Sequence, residues 1–335
     1  MTTPISGDID TPFTAGAING GPDFWKEYVE SRPDPPEDFF DLIHAYHTAH
    51  GDPRSRVAHD VGTGPGNIAV KLLRHFDHVV GSDVNEKALA AAPALISVDK
   101  LKRMTLVVSS AEQLPSAVMP EHVGKGQTDL VVVSECIPLL DVPSALEAFS
   151  TMLRPGGTLA IYFYGRPIFT GDDADGLNKV YDRVATRLCQ LQWPIKGTPG
   201  FTFHARSLEA LRSSLDNVAI PFDAWESVER YKWNPDFTLM FSPDEGYDFA
   251  IDPVDRRAPA EVAKDIIDRD FWAEEWDVGR VEAFVNTIFP GVRERAGRKC
   301  GQVKSLLKEL EMRMGGSRAT KKVSFPVVLL LATKK

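Results

Sequence analysis

Cysteine is scarce in this sequence, and its three residues, Cys136, Cys189 and Cys300, lie far apart. An odd number at such spacing fits neither a disulfide framework nor a zinc site with paired cysteines. The sequence therefore predicts a reducing compartment, no structural disulfide and no metal site.

Long apolar runs are also lacking: no stretch reaches the roughly 18 consecutive apolar residues of a membrane-spanning helix. The opening residues MTTPISGDIDTPFTAG contain neither the basic region nor the apolar region of a secretory leader. These absences predict a cytoplasmic protein with no membrane partner.

Positive charge is in deficit, with a formal net charge of -9 at pH 7 and no dense stripe of lysine and arginine. The phosphate backbone of a nucleic acid repels a chain with this balance. The composition therefore predicts no nucleic-acid partner.

Apolar strand-like segments alternate with amphipathic helical segments from Val57 to about Tyr164. Five strands are predicted, at VAHDV, HVVGSDV, MTLVVSS, TDLVVVSE and GTLAIYFY. WESVERYKW and KKVSFPVVLLLATKK predict a sixth and a seventh strand. Because strands that alternate with helices form parallel sheets, we predict an α/β fold: a Rossmann-like, seven-stranded, mostly parallel sheet with helices on both faces.

Changes in composition divide the chain further, and we expect a mainly helical lid from its N-terminal and inserted segments. Prolines break the helical pattern near Pro33, which predicts two helical pieces before the core. The predicted units are an N-terminal arm and lid helices (1–50), a cofactor-binding core (51–165), a substrate-lid insertion (166–205), a core helix and strand (206–240), a helical lid insertion (241–320) and the last core strand (321–335).

A glycine-rich turn follows the first predicted strand in HDVGTGPGNIAVKLLRHFDHVVGSDV, residues 59–84. Gly62, Gly64 and Gly66 let the backbone turn sharply and approach a bound molecule. A dinucleotide fingerprint needs a further glycine where this chain has Asn67, so a bound pyrophosphate is disfavoured. Asp83 ends the second strand, where a carboxylate accepts hydrogen bonds from both ribose hydroxyls. The pattern predicts a ligand that contains ribose.

These segments resemble the class I S-adenosylmethionine-dependent methyltransferases over most of residues 55–168. DVGTGPG resembles the cofactor loop, GSDV the ribose-binding strand end, and SSAEQLP, TDLVVVSE and LRPGGTLAIYFYGRPIF the later sheet motifs. The match is closest to the trans-aconitate methyltransferase-like branch, through YVESRPDPPEDFF, SECIPLLD and the PIF after the fifth strand. Pro138 and Leu139 stand where that branch usually has a His-Trp pair, which leaves the acceptor open.

The resemblance implies S-adenosylmethionine as cofactor, S-adenosylhomocysteine as product, and N-terminal helices that close over them. The third strand end would lie in reach of an adenine edge. The expected cofactor-binding residues are Asp60, Gly62, Thr63, Gly64, Gly66, Asp83, Val84, Ser110, Ala111, Glu112, Ser134 and Glu135, with Tyr28 and Arg32 from the lid.

Three residues are candidates for catalysis or for holding the acceptor. His204 is a possible general base, and Glu135 follows the fourth strand at the edge where α/β sheets bind ligands. Arg166 is either a surface residue in a salt bridge or an anchor for an anionic substrate. Each also has an ordinary structural interpretation.

Methyl transfer from a sulfonium is an in-line displacement, so an enzyme must mainly align the reacting atoms and exclude water. We expect a small-molecule acceptor with a carboxylate or hydroxyl group, and a monomer or homodimer. The alternatives are a protein of this fold that binds the cofactor without methylating, as a pericyclase, cyclase or partner subunit, and a nicotinamide oxidoreductase, which Asn67 disfavours.

Overall fold

The computed structural model describes residues 22–51, 56–191, 199–237, 251–288 and 300–335. The strands of its main sheet are β1 Val57–Val61, β2 His78–Asp83, β3 Met104–Val108, β4 Thr128–Ser134, β5 Leu153–Tyr164, β7 Trp225–Trp233, β8 Val262–Ile266 and β11 Val327–Lys334. They lie in the order β3-β2-β1-β4-β5-β11-β7-β8. Strands β1 to β5 are parallel, while β11 is antiparallel to both of its neighbours. The predicted α/β fold with a mostly parallel sheet is confirmed.

Helices lie on both faces of the sheet, and buried side chains of helices such as α2 and α6 pack with those of the strands. Their bounds are α1 Pro22–Ser31, α2 Glu37–His50, α3 Asn67–Leu72, α4 Glu86–Leu95, α5 Val98–Leu101, α6 Val142–Met152, α7 Ala174–Leu191, α8 Pro199–Ser213, α9 Val278–Ile288 and α10 Cys300–Met314.

The core lies on both faces of the sheet, as expected when successive strand residues point to opposite sides. Tyr162 of β5 packs in one buried cluster with Phe39 of α2, while Ile161 packs in the other with Phe149 of α6. Every residue of β1 is buried. A short apolar run such as VAHDV is therefore a strand covered on both sides.

The sheet has eight strands rather than the predicted seven. The additional strand, β8, lies parallel to β7 at the edge of the sheet, inside a segment predicted to be helical. Four of its five residues are exposed, so VAKDI lacks the apolar alternation that marks a half-buried strand.

The C-terminal segment forms two strands instead of the single predicted one. β10 Lys321–Ser324 pairs with β6 Ile168–Phe169 and β9 Glu274–Trp276 in a small antiparallel sheet, and β11 joins the main sheet. Pro326 separates the two strands, and proline has no backbone N–H to continue a ladder. The small sheet joins three segments that are far apart in sequence.

The prolines at positions 33, 35 and 36 end the first helix and precede the second, which confirms the two predicted helical pieces. Helix α2 packs through Phe39, Phe40 and Ile43 into the main core. Helix α1 instead lies against α4 and α9. The last residue of α1 and the chain that follows it form a segment that we call the strap (Ser31–Pro35), and this segment lies at the carboxyl edge of the sheet. The predicted domain boundaries stay predictions.

Candidate active site

One cavity lies at the carboxyl ends of β1, β4 and β5, beneath α1 and the strap. It encloses about 470 Å³ including its mouth. Its lining comes from four parts of the chain that are distant in sequence and consists of Tyr28, Arg32, Pro33, Pro35, Asp60, Gly62, Thr63, Gly64, Asn67, Ile68, Ser134, Glu135, Tyr162 and Tyr164. Eight of the predicted cofactor and lid residues therefore surround a single space.

The glycine loop is fixed to the end of β2. The amides of Gly62 and Thr63 both donate to the Ser82 carbonyl, at 2.8 and 2.9 Å. Gly62 and Gly64 have φ values of +70° and +56°, a region that favours glycine. A Cβ on Gly62 would lie 2.6 Å from Sγ of Cys136, whereas a Cβ on Gly64 would meet no described atom within 4 Å. The loop therefore packs on the protein at Gly62 and offers bare backbone to the cavity at Gly64.

Asp60 is fully buried at the end of β1. The Thr63 hydroxyl donates to Oδ2 of Asp60 at 2.6 Å. Oδ1 has no hydrogen bond of normal geometry with any described residue, although the nearby Ala69 amide favours the ionised form. Burial raises the pKa of Asp60 to about 7, against the effect of the Thr63 hydrogen bond. A buried carboxylate oxygen with an unused lone pair fits a positively charged donor from a ligand.

Asp83 holds the far side of the glycine loop. Its Oδ2 accepts the Gly64 amide and its Oδ1 the Asn85 amide, both at 2.8 Å. Burial raises the pKa of Asp83, while these backbone hydrogen bonds lower it. Each oxygen keeps a further lone pair for a ribose hydroxyl.

Six predicted cofactor residues lie outside the cavity lining: Gly66, Asp83, Val84, Ser110, Ala111 and Glu112. They lie at or just beyond the ends of strands β1, β2 and β3, at the same edge of the sheet. Val84 is 49% exposed and offers apolar surface beside Asp83, whereas Glu112 accepts the Asp141 amide at 2.9 Å. Their roles stay predictions.

Glu135 is the first residue beyond β4 and has a left-handed backbone, with φ of +60°. This conformation is uncommon for a residue other than glycine and is found most often at functional sites. Its Oε1 accepts the Tyr164 amide at 2.7 Å. Burial raises the pKa of Glu135 to about 8, against the effects of that hydrogen bond and of Arg32. With this pKa, both the protonated and the ionised form of the carboxyl group are populated near neutral pH.

Arg32 brings a cation from the strap into the cavity. Its guanidinium donates to the Tyr164 hydroxyl at 3.2 Å and to the Thr287 carbonyl at 3.0 Å, and lies 4.7 Å from the Tyr28 ring centre. Its Nε has no hydrogen-bond partner among the described residues. Burial lowers the pKa of Arg32, but the Tyr164 and Tyr28 hydroxyls outweigh it and keep the guanidinium charged.

The lining includes side chains that sequence reasoning missed, chiefly Tyr162 and Tyr164 of β5. Both project from the same face of the strand because they are two residues apart. Burial raises the pKa of each hydroxyl above its ordinary value. Because the two tyrosines alternate with other residues in IYFY, the sequence indicated that they share one face of the strand. It did not indicate that this face meets Arg32.

Of the other two catalytic candidates, the structure describes the side chain of Arg166, which is not among the residues that line the cavity. Arg166 is buried rather than exposed, and its guanidinium lies 3.0 Å from Oδ1 of Asp182 and donates to Oδ1 of Asn178 at 3.3 Å. The predicted salt bridge is present, with Asp182 of α7, but Arg166 is buried rather than on the surface. The alternative role, as an anchor for an anionic substrate, stays a prediction. His204 falls within α8, and its side chain lies outside the described part of the chain.

Within the described ranges, no three His, Cys, Asp or Glu side chains are grouped so as to hold a metal ion. No described helix combines the length and apolar character that crossing a bilayer requires.

Sequence comparison adds independent information on this site. A family model described as a methyltransferase domain matches residues 58–157, which include the glycine loop, Asp83 and Glu135. The methyltransferase ptaI of Pestalotiopsis fici is 63% identical over 330 residues, covering 98% of this chain and 97% of that protein. The methyltransferase pgmE of Aspergillus terreus is 38% identical and covers 93% of each chain.

Structure comparison supports the fold. A protein of Anaeromyxobacter dehalogenans, described provisionally as a type II methyltransferase, superimposes with a TM-score of 0.54 at 16% identity, covering 90% of this chain and 97% of that one. At that identity the likeness bears on the fold alone. The trans-aconitate methyltransferase-like branch stays a prediction.

Proposed function

Because the chain belongs to the class I S-adenosylmethionine-dependent methyltransferases, we propose that it methylates a hydroxyl or carboxylate oxygen of a small-molecule metabolite, with Glu135 as general base for a hydroxyl. One observation carries this proposal: the exposed backbone of Gly64, the Asp60 carboxylate with its unpartnered Oδ1 and the Arg32 guanidinium all line the same cavity.

The charges around the cavity fit the cofactor, which supplies an electrophilic methyl group on a sulfonium and also carries an ammonium and a carboxylate. Asp60 would accept from the ammonium through its free Oδ1, and Arg32 would donate to the carboxylate through its free Nε. Asp83, on the far side of the loop, would accept from the ribose hydroxyls.

Glu135 is the described group best placed to handle a proton. It lines the cavity, and its carboxyl group is held in place by the Tyr164 amide. When ionised, it would take the proton of a hydroxyl acceptor onto its carboxylate as the new O–C bond forms. A carboxylate acceptor has no proton to remove and would need only alignment and exclusion of water.

Calorimetric titration of the protein with S-adenosylmethionine, S-adenosylhomocysteine and NADH tests this function. We expect the first two to bind and NADH not to bind. Incubation with methyl-labelled cofactor and a panel of hydroxybenzoic acids should then give labelled ether or ester. Cofactor binding without transfer to any metabolite acceptor would favour a non-methylating role, and NADH binding alone would contradict the proposal. Cytoplasmic location and a monomeric or homodimeric state stay predictions.

Asp83→Ala should weaken cofactor binding in the same titration. The substitution removes the charge-assisted double hydrogen bond to the ribose, worth about 1.5 to 3 kcal/mol in total, which corresponds to a roughly 10- to 150-fold loss of affinity. It also frees the Gly64 amide, so the loop loses one of its hydrogen bonds to β2 and keeps those of Gly62 and Thr63.

Asp255→Ala is the matched control for Asp83→Ala. Asp255 also accepts the amide two residues ahead, from Arg257 at 2.9 Å, but it is exposed and does not line the cavity. Its variant should bind S-adenosylhomocysteine like the wild type. Equal affinities for folded Asp83→Ala and wild-type protein would remove Asp83 from the binding site.

A further inference from the structure

We propose that Arg280 and Glu274 are positioning residues: they clamp the strap from outside the cavity and thereby hold Arg32 where it meets the ligand. Arg280 belongs to α9 and Glu274 to β9, both within the inserted region. Among the described residues, neither lines the cavity. The inference rests on the proposed function, in which Arg32 contacts the cofactor.

Arg280 binds the backbone at the end of α1. Its Nε donates to the Ser31 carbonyl at 3.2 Å and its Nη2 to the Arg32 carbonyl at 3.0 Å. The last carbonyls of a helix have no intrahelical donors and carry partial negative charge, so a cation there is favourable. Helix α1 has no basic residue in its own last turn. Arg280 supplies that cation from a different part of the chain.

Glu274 connects Arg280 to the next part of the strap. Its Oε2 accepts from Nη2 of Arg280 at 2.9 Å and from the Trp276 indole at 2.8 Å, and its Oε1 accepts the Asp34 amide at 2.7 Å. One carboxylate therefore fixes a backbone amide two residues beyond Arg32, while Arg280 fixes the carbonyl of Arg32 itself. The strap is held on both sides of the residue that enters the cavity.

The end of α9 completes the clamp by contacting the side chains of Arg32 and Ser31. The Thr287 carbonyl accepts from Arg32, and the Thr287 hydroxyl lies 3.1 Å from the Ser31 hydroxyl. Because Arg280 and Thr287 both belong to α9, the position of this one helix sets both the backbone and the guanidinium of Arg32. The N-terminal helix and the inserted region thus act as a single cover over the cavity.

A double-mutant cycle on S-adenosylhomocysteine binding tests the proposal. Arg280→Ala should lower affinity about tenfold, because a displaced Arg32 would lose about one charge-assisted hydrogen bond to the ligand. In an Arg32→Ala background, the same change should have almost no further effect, because it acts through Arg32. Arg280→Lys, which keeps a donor for the two carbonyls, should recover part of the affinity. Full additivity of Arg280→Ala and Arg32→Ala would overturn the proposal.

Hydrogen exchange of the ligand-free protein provides a second readout that does not depend on the proposed function. Arg280→Ala should speed exchange in residues 22–35, whereas Arg313→Ala, which removes an exposed ion pair with Asp173, should not. Unchanged exchange in residues 22–35 of Arg280→Ala would overturn the clamp. If wild-type protein failed to bind S-adenosylhomocysteine, the proposed function would fail, and exchange would still decide whether the clamp exists.

Discussion

Gly64→Val abolishes binding of S-adenosylmethionine and leaves the fold intact; this is the result we expect from calorimetry and circular dichroism. Gly64 lines the cavity, and a Cβ at this position meets no described atom within 4 Å. The new side chain therefore enters space that the protein leaves open and that the ligand needs. Valine would also be strained at a φ of +56°, at a cost of about 1 to 3 kcal/mol.

Gly126→Val separates the two effects of Gly64→Val. Gly126 has a φ of +66° and equally open space at its Cβ position, but it precedes β4 at the opposite edge of the sheet. It should lose similar stability and bind normally. Loss of binding in both variants would attribute the effect to strain, and normal binding in Gly64→Val would mean that the loop does not contact the cofactor.

Glu135→Gln should lower kcat for a hydroxyl acceptor by about 10²- to 10⁴-fold, the usual contribution of a general base. Glutamine keeps the shape and the acceptor for the Tyr164 amide but cannot take up a proton. Formation of an ester from a carboxylate acceptor should fall much less. Hydroxybenzoic acids carry both groups, so the ratio of alkali-stable ether to alkali-labile ester, measured with labelled methyl, reports the difference directly.

The pH profile gives the second test of Glu135. A base must be ionised, and burial raises the pKa of this carboxyl group to about 8. At saturating cofactor, the kcat/KM of the acceptor for ether formation should therefore rise with pH, with an inflection at or just below pH 8 because a bound sulfonium cation favours the ionised form, and level off above it. Glu135→Gln should lack this inflection, and Glu309→Gln, at an ion pair with Arg183, should keep it. Full activity of Glu135→Gln with a hydroxyl acceptor would remove Glu135 as the base.

The strands of the core were predictable because burial on both faces leaves a local signature. VAHDV and TDLVVVSE are short apolar runs bounded by polar or turn residues, and they form β1 and β4. Strand β8 was missed because an exposed edge strand requires no apolar pattern. The break at Pro326 is also local in sequence, but the partners of β10 in the small sheet come from segments about 50 and 150 residues away.

The residues that line the cavity were predictable only in part. Asp60, the glycines and Glu135 lie at or just beyond the ends of parallel strands, and parallel strands bring their carboxyl ends to one edge. Tyr28 and Arg32 were predictable from the helical pattern that breaks at Pro33. Tyr162 and Tyr164 read as ordinary strand residues, since the β4–β5 pairing that brings them beside Glu135 is not encoded in either strand alone.

The sequence by itself determined the parallel core, the turn at Gly62–Gly66 and the carboxylate at Asp83, because strand period, left-handed glycines and strand ends are properties of neighbouring residues. Only the tertiary structure decided the raised pKa of Glu135, the ion pair of Arg166 with Asp182, and the clamp of Arg280 and Glu274 on the strap. Burial and hydrogen bonding between residues as much as 249 positions apart set these features, and no local pattern carries that information.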